Sequence, residues 1–219
     1  MKYNLKMNMK KIIALLLITL SFNAFAQNKG KALLNEVSQK VKSYSNISID
    51  FRYVLENTAE DLKQVTKGDV VLQGEKYKLN ILGITRLYDG KTMYSISPED
   101  EEVTISSEDG SDSDAITPSK MLSFYEEGYT YALDIEQNMN GRKIQYVKLT
   151  PIDSSSEIKT ILLGIDAQTK NIYNLIQIGK NDTKTTLTVN SFKTNETLSK
   201  TLFTFDANKY QDYYINKLD

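Results

Sequence analysis

Between residue 28 and about 44 the apolar positions Leu34, Val37, Val41 and Tyr44 fall three or four apart, with Lys40 and Lys42 off that line. The spacing predicts an amphipathic helix with one face on a core. The period then changes. Ile47, Ile49, Phe51, Tyr53 and Leu55 alternate with Ser48, Asp50, Arg52 and, past Val54, Glu56, which predicts a strand with a single apolar face. Tyr77, Leu79 and Ile81 alternate with Lys76, Lys78 and Asn80 in a run at 76–82, set off from 70–73 by Gly74. Asp89-Gly90 separates 86–88 from 92–96 as a hairpin turn does. Runs at 131–136, 143–149, 158–165, 172–178, 185–192 and 202–205 read the same way, with turns at Asn140-Gly141 and in the polar stretch 166–171. The pattern predicts about eleven strands joined by short links, hence an antiparallel meander.

One segment breaks the pattern. Residues 99–114 are acidic and rich in Ser and Gly, and are expected to form a loop. Thr117-Pro118 supplies an N-cap followed by a proline at the first helical position, and Met121, Leu122, Phe124 and Tyr125 predict a short helix closed by Gly128.

Ahead of all this lies a leader. Lys2, Lys6, Lys10 and Lys11 precede an apolar run at 12–20, well short of the roughly 20 residues a membrane-spanning helix needs. The run leads to Ala24-Phe25-Ala26, the small-x-small pattern of a cleavage site. The reading is a signal peptide at 1–26 and a single exported domain at 27–219. A lipid anchor on cysteine is excluded, because the chain has none.

Composition narrows the chemistry. With no His and no Cys, a Ser-His-Asp triad, a thiol nucleophile and an imidazole or thiolate zinc site are all ruled out. The formal net charge is −1, and removing the leader's four lysines leaves 23 basic against 28 acidic residues, a net −5. That balance supplies no basic face for nucleic acid.

The remaining motifs are weak. The acidic loop 108–114 lacks the central Gly and closing Glu of an EF-hand, so it reads as a solvated loop. Ser156-Glu157-Ile158-Lys159 has Ser-x-x-Lys spacing but enters a predicted strand, where residues three apart face opposite sides. Glu101-Glu102 has no apolar surroundings to raise a carboxyl pKa. No catalytic residue, metal site or cofactor is assigned, and the expectation is a protein that is not an enzyme. What is left is apolar surface. A sheet of this size is either a filled core or, since eight strands already enclose a small ligand, a half-barrel with a cavity suited to acyl chains.

The chain resembles the periplasmic outer-membrane lipoprotein carrier family, LolA. The resemblance rests on the helix leading into Ser48-Ile49-Asp50-Phe51, then Lys67-Gly68-Asp69-Val70-Val71-Leu72, then Leu87-Tyr88-Asp89-Gly90-Lys91-Thr92-Met93-Tyr94, and a close at Leu202-Phe203-Thr204-Phe205-Asp206. It implies a mainly β, α+β fold: an incomplete antiparallel barrel in which the N-terminal helix and the short inserted helix form a lid over an apolar cavity. It also implies a periplasmic monomer that takes acylated lipoproteins from an inner-membrane ABC transporter of the LolCDE type. Delivery would be to an outer-membrane receptor, LolB-like or otherwise. The lipid-facing set is then expected to be Phe51, Tyr53, Leu55, Val70, Leu72, Tyr77, Leu79, Ile81, Tyr94, Met121, Leu122 and Tyr125. Where the family often carries a basic residue and Pro before the third strand, this chain has Gln73-Gly74-Glu75, so no lid-latching arginine is assigned. A periplasmic module of the same fold that senses lipid or lipoprotein is the alternative. An enzyme would need a buried pair of carboxylates.

Overall fold

A computed structural model describes residues 29–106, 118 and 120–218. Helix α1 spans 29–42. It is followed by β1 (Ile47–Asn57), β2 (Leu62–Gln73), β3 (Lys76–Ile81), β4 (Ile84–Tyr88), β5 (Met93–Ser97) and β6 (Glu102–Ser106). Two 3-10 turns, Lys120–Leu122 and Phe124–Glu126, precede β7 (Tyr129–Met139), β8 (Arg142–Pro151), β9 (Ile158–Asp166), β10 (Ile172–Gly179) and β11 (Lys184–Thr194). A 3-10 turn at Ala207–Tyr210 and β12 (Tyr214–Leu218) end the described chain.

These twelve strands form one open sheet in the order β12-β6-β5-β4-β3-β2-β1-β11-β10-β9-β8-β7. β1, the strand with the clearest alternation, joins the two halves, pairing with β2 on one side and β11 on the other. The sheet must curl. Leu79 of β3 and Leu163 of β9 border the same cavity, yet five strand spacings of about 4.8 Å would hold them about 24 Å apart in a flat sheet. Apolar positions on the concave face form two buried clusters, one on β7–β10 beneath Leu34 and Val37 of α1, the other on β1–β3 and β5. Val41 and Leu122 pack against both, so α1 and the 3-10 turns bridge the halves. Contacts with the β9–β10 turn hold α1 in place: Lys40 Nζ donates to the Thr169 carbonyl, and Lys170 pairs with Glu36 at 3.2 Å.

The architecture is mainly β with one N-terminal helix, and the sheet does not close into a barrel. Four local expectations are corrected. Residues 99–106 are a turn and β6 rather than loop, because Val103 and Ile105 alternate with polar neighbours behind the acidic run, and Val103 is fully buried. The other part of the predicted loop, the Thr117 cap and the leader lie outside the described residues. The helix expected after Pro118 is two 3-10 turns with i→i−3 bonds, Ser123 N to Lys120 O and Glu126 N to Ser123 O, both 2.9 Å. Its apolar side chains serve two sites at once: Met121 and Leu122 face the cavity while Tyr125 enters the core.

Residues 202–205 are not a strand. They run over the convex face, where Phe205 stacks between Tyr94 at 4.4 Å and Tyr210 at 5.4 Å, and the crevice there is bordered by Leu87, Ile96 and Leu202. β12, which the apolar pattern did not mark, then pairs parallel to β6, so the sheet is not wholly antiparallel.

Candidate functional site

The concave face encloses a cavity of about 180 Å³. β1 contributes Ile49, Phe51 and Tyr53, β2 contributes Val70 and Leu72, and β3 contributes Leu79 and Ile81. Opposite them stand Leu163 of β9, Ile172 and Leu175 of β10, and Leu187, Val189 and Phe192 of β11; Pro118, Met121 and Leu122 close the top. Among the described residues, Tyr53 carries the only side-chain polar group in this lining. Strand pairing explains the set: Ile49 faces Val70 and Phe192, and Tyr53 faces Thr66 and Leu187, so cross-strand partners share the inner face.

Eight of the twelve residues expected to face lipid border the cavity: Phe51, Tyr53, Val70, Leu72, Leu79, Ile81, Met121 and Leu122. Four do not. Leu55 lies on the same face further along β1, opposite Gln64 and Thr185, where the lining turns polar. Tyr77 is inward but packed solid, its hydroxyl 3.7 Å from Met93 Sδ and its ring 5.8 Å from that of Tyr88. Tyr94 pairs with Leu87 on the convex face. Tyr125 is buried in the cluster beneath α1. The six lining residues on β9–β11 escaped the sequence reading of the site. Their strands were legible, but only the β1–β11 pairing brings them across from β1–β3.

Beside the cavity, and sharing Leu72 and Leu122 with it, lies a wider polar crevice of about 500 Å³ that carries Lys42, Glu75, Lys120 and Glu126 together with Tyr44 and Tyr88. Glu126 ties the roof to α1: Oε1 accepts from Ser38 Oγ at 2.5 Å and from Lys42 Nζ at 2.8 Å. The Lys42 hydrogen bond, then that from Ser38, holds the Glu126 carboxyl below its ordinary value of 4.5. A depressed carboxyl pKa stabilises above its ordinary value and loses that effect as pH falls through the folded value. The tie is therefore complete above pH 4.5 and weakens below it. The Lys42–Glu126 ion pair, with its side chains 64% and 34% exposed, is worth at most about 1 kcal/mol. Glu126→Gln is expected to speed entry of an apolar probe while moving the melting midpoint by no more than about 4 °C. Stopped-flow fluorescence should also find acid-accelerated entry in the wild type and a loss of that acceleration in the variant.

Tyr125 offers a second test. Its hydroxyl is buried with no hydrogen-bond partner among the described residues, and burial, followed by the Glu126 charge, pushes its pKa far up. Tyr125→Phe removes an unsatisfied polar atom, so stability is expected to hold or rise by about 1 kcal/mol in chemical denaturation. Tyr131→Phe should instead cost about 1 kcal/mol, because the Tyr131 hydroxyl donates to the Glu126 carbonyl at 2.9 Å. The residues of the Ser-x-x-Lys spacing make local contacts: Ser156 Oγ accepts from Ile158 N, and Lys159 pairs with Asp182.

A curled, open sheet with an apolar cavity on its concave face, roofed by a crossing segment beside a helix, defines the class: a half-barrel fold with an apolar interior. The chain belongs to the family described as outer membrane lipoprotein carrier protein LolA, whose model matches residues 42–206. No curated protein matches it. Solved structures share the fold at low identity. An uncharacterized conserved protein from Thermus thermophilus is 10% identical with a TM-score of 0.58, the match covering 84% of this chain and 97% of that one. LprF from Mycobacterium bovis is 15% identical, with a TM-score of 0.51 and coverage of 79% and 97%. MucB is 14% identical, with a TM-score of 0.51 and coverage of 82% and 64%.

Proposed function

We propose that this protein is a periplasmic lipoprotein carrier. Its leader at 1–26 directs export, and the domain at 27–219 shields the acyl chains of lipoproteins between an inner-membrane LolCDE-type transporter and an outer-membrane acceptor. The observation that carries the reading is the cavity, lined almost wholly by hydrocarbon in a chain of the LolA family. Each methylene transferred from water into such a lining contributes about 0.8 kcal/mol, so an acyl chain is the ligand that uses the site best. The volume of about 180 Å³ falls short of the roughly 300–1,000 Å³ usual for ligand pockets. Loading several chains therefore requires the roof to lift, and the Glu126 tie is weak enough to allow it. No helix among the described residues is long and apolar enough to cross a membrane.

The test is recovery of the protein from the periplasm of its own cells, followed by mass spectrometry. The reading expects an N-terminus at Gln27 and triacylated lipoproteins that co-purify with the wild type and are lost from a folded Leu79→Asp variant. Recovery without acylated cargo, or equal cargo on both proteins, overturns it.

A further inference from the structure

The β3–β4 hairpin carries an anomaly that cargo binding does not account for. Its two-residue turn is Leu82-Gly83, with φ of 54° and 77°, flanked by the Ile81–Ile84 pair. The β7–β8 hairpin uses the same geometry, φ of 53° and 79°, with Asn140-Gly141. Asn-Gly is the pair this turn favours, because asparagine tolerates the left-handed region at lower cost than a bulky side chain does. The other non-glycine residues with positive φ among those described are Asp61, Glu101, Asn140, Lys170, Asp182 and Asn195, all polar. Leu82 is the exception, and the fold does not compensate its strain by burying it, since 55% of the residue is exposed.

We propose that the Leu82 turn is a membrane-contact tip that inserts into the surface of a phospholipid bilayer. No charged residue lies between Lys78 and Arg86, and beyond the Asn80–Thr85 pair the turn carries only Ile81, Leu82, Gly83 and Ile84. At the same end of the sheet, β2 runs past its last pairing with β3, Gly68 to Ile81, and exposes Leu62 and Val65. These few side chains fall far short of the roughly 1,000 Å² that a stable protein interface buries. A bilayer needs no such area and no matching shape, and it rewards each apolar side chain that enters it. Continuity points the same way: Leu79 and Ile81 line the cavity, and Leu82 follows Ile81 directly onto the rim. The tip therefore extends the apolar lining toward whatever the rim touches. Among the charged residues around the tip, the exposed Lys67 and Arg86 are balanced by Glu60 and Asp61 in the neighbouring turn, and Lys63 is paired with Glu56 at 2.8 Å, so apolar insertion rather than charge drives the contact.

The experiment is co-flotation of the chain from Gln27, without its apolar leader, on vesicles of phosphatidylethanolamine with a minor share of phosphatidylglycerol. Wild type is expected to float with the vesicles and to keep doing so at high salt. Leu82→Asn and Leu82→Glu are expected to lose about tenfold in vesicle affinity, the effect of withholding one leucine from an apolar phase. Because asparagine suits the turn better than leucine, Leu82→Asn should melt at or above the wild-type temperature and bind an apolar cavity probe as wild type does. A wild type that stays off the vesicles, variants that float as well as wild type, or flotation abolished by salt would each overturn the proposal. Lipid contact at the tip does not depend on what the cavity carries. A wild type that binds no cavity probe yet floats through Leu82 would remove the carrier reading and support the tip.

Discussion

Leu79→Asp is expected to abolish binding of an apolar fluorescent probe while leaving the domain folded. Leu79 is half-buried, packed against the β1–β3 cluster and open to the cavity, not sealed within it. A carboxylate there either stays charged in a hydrocarbon lining at a cost of several kcal/mol or takes up a proton. Either way the ligand loses contact area and meets a polar group, so probe affinity should fall at least about tenfold. Lys78→Asp, one residue away, changes the convex face, where Lys78 is level with Val71 and Leu87, and should leave affinity near wild type. Titration of all three proteins, with acyl lipopeptide as competitor, decides the matter. A folded Leu79→Asp variant with wild-type affinity would remove the cavity as the binding site. A wild type that binds nothing would mean that the concave face is a packed core.

Gly68→Ala should be strongly destabilising. A Cβ at residue 68 would stand 2.5 Å from Phe51 Cζ, 2.9 Å from Phe51 Cε2 and 2.6 Å from the Asn80 carbonyl oxygen. The ring could swing away, but only into the cavity it lines; the carbonyl belongs to the backbone of β3, which pairs with β2 at this level. Overpacking of this kind costs about 3 kcal/mol, or a drop of about 6–12 °C in melting midpoint for a domain of this size. Probe affinity of the surviving folded protein should fall as well, because Phe51 is displaced into the site. Calorimetry showing a midpoint within a degree or two of wild type would mean that β2 and β3 separate locally more easily than their pairing implies. In the sequence Gly68 stood out only within Lys67-Gly68-Asp69, and its purpose became visible once the Phe51 ring was found lying over it.

Legibility followed the range of the forces involved. Ile47 to Leu55 could be read as a strand with an inward face because alternation is a property of consecutive residues, and the structure has that strand, with Ile49, Phe51 and Tyr53 on the lining. Asp89-Gly90 could be read as a turn because its bonds are local: Asp89 Oδ1 accepts from the backbone of Lys91 and Thr92 at 2.9 and 2.8 Å. Tyr94 misled because a large aromatic in a strand suits either face. Register with Leu87 and a stack with Phe205, more than a hundred residues away, sent it outward. The C-terminal segment misled for the same reason: Leu202 and Phe203 could pair or pack, and Leu202 borders the convex crevice with Leu87 and Ile96.

By itself, then, the sequence determined that this is a mainly β chain after a charged and apolar N-terminal segment, with one amphipathic helix and no residues for thiol or imidazole chemistry. Those properties depend on composition and on neighbours within a few positions. Only the tertiary structure decided that β1 pairs with β11, that β9–β11 thereby supply six of the sixteen residues lining the cavity, and that Glu126 reaches Ser38 and Lys42 across 88 and 84 positions. Pairings over such separations are chosen by the total apolar surface that the curled sheet buries, a sum over the whole chain that no local period contains.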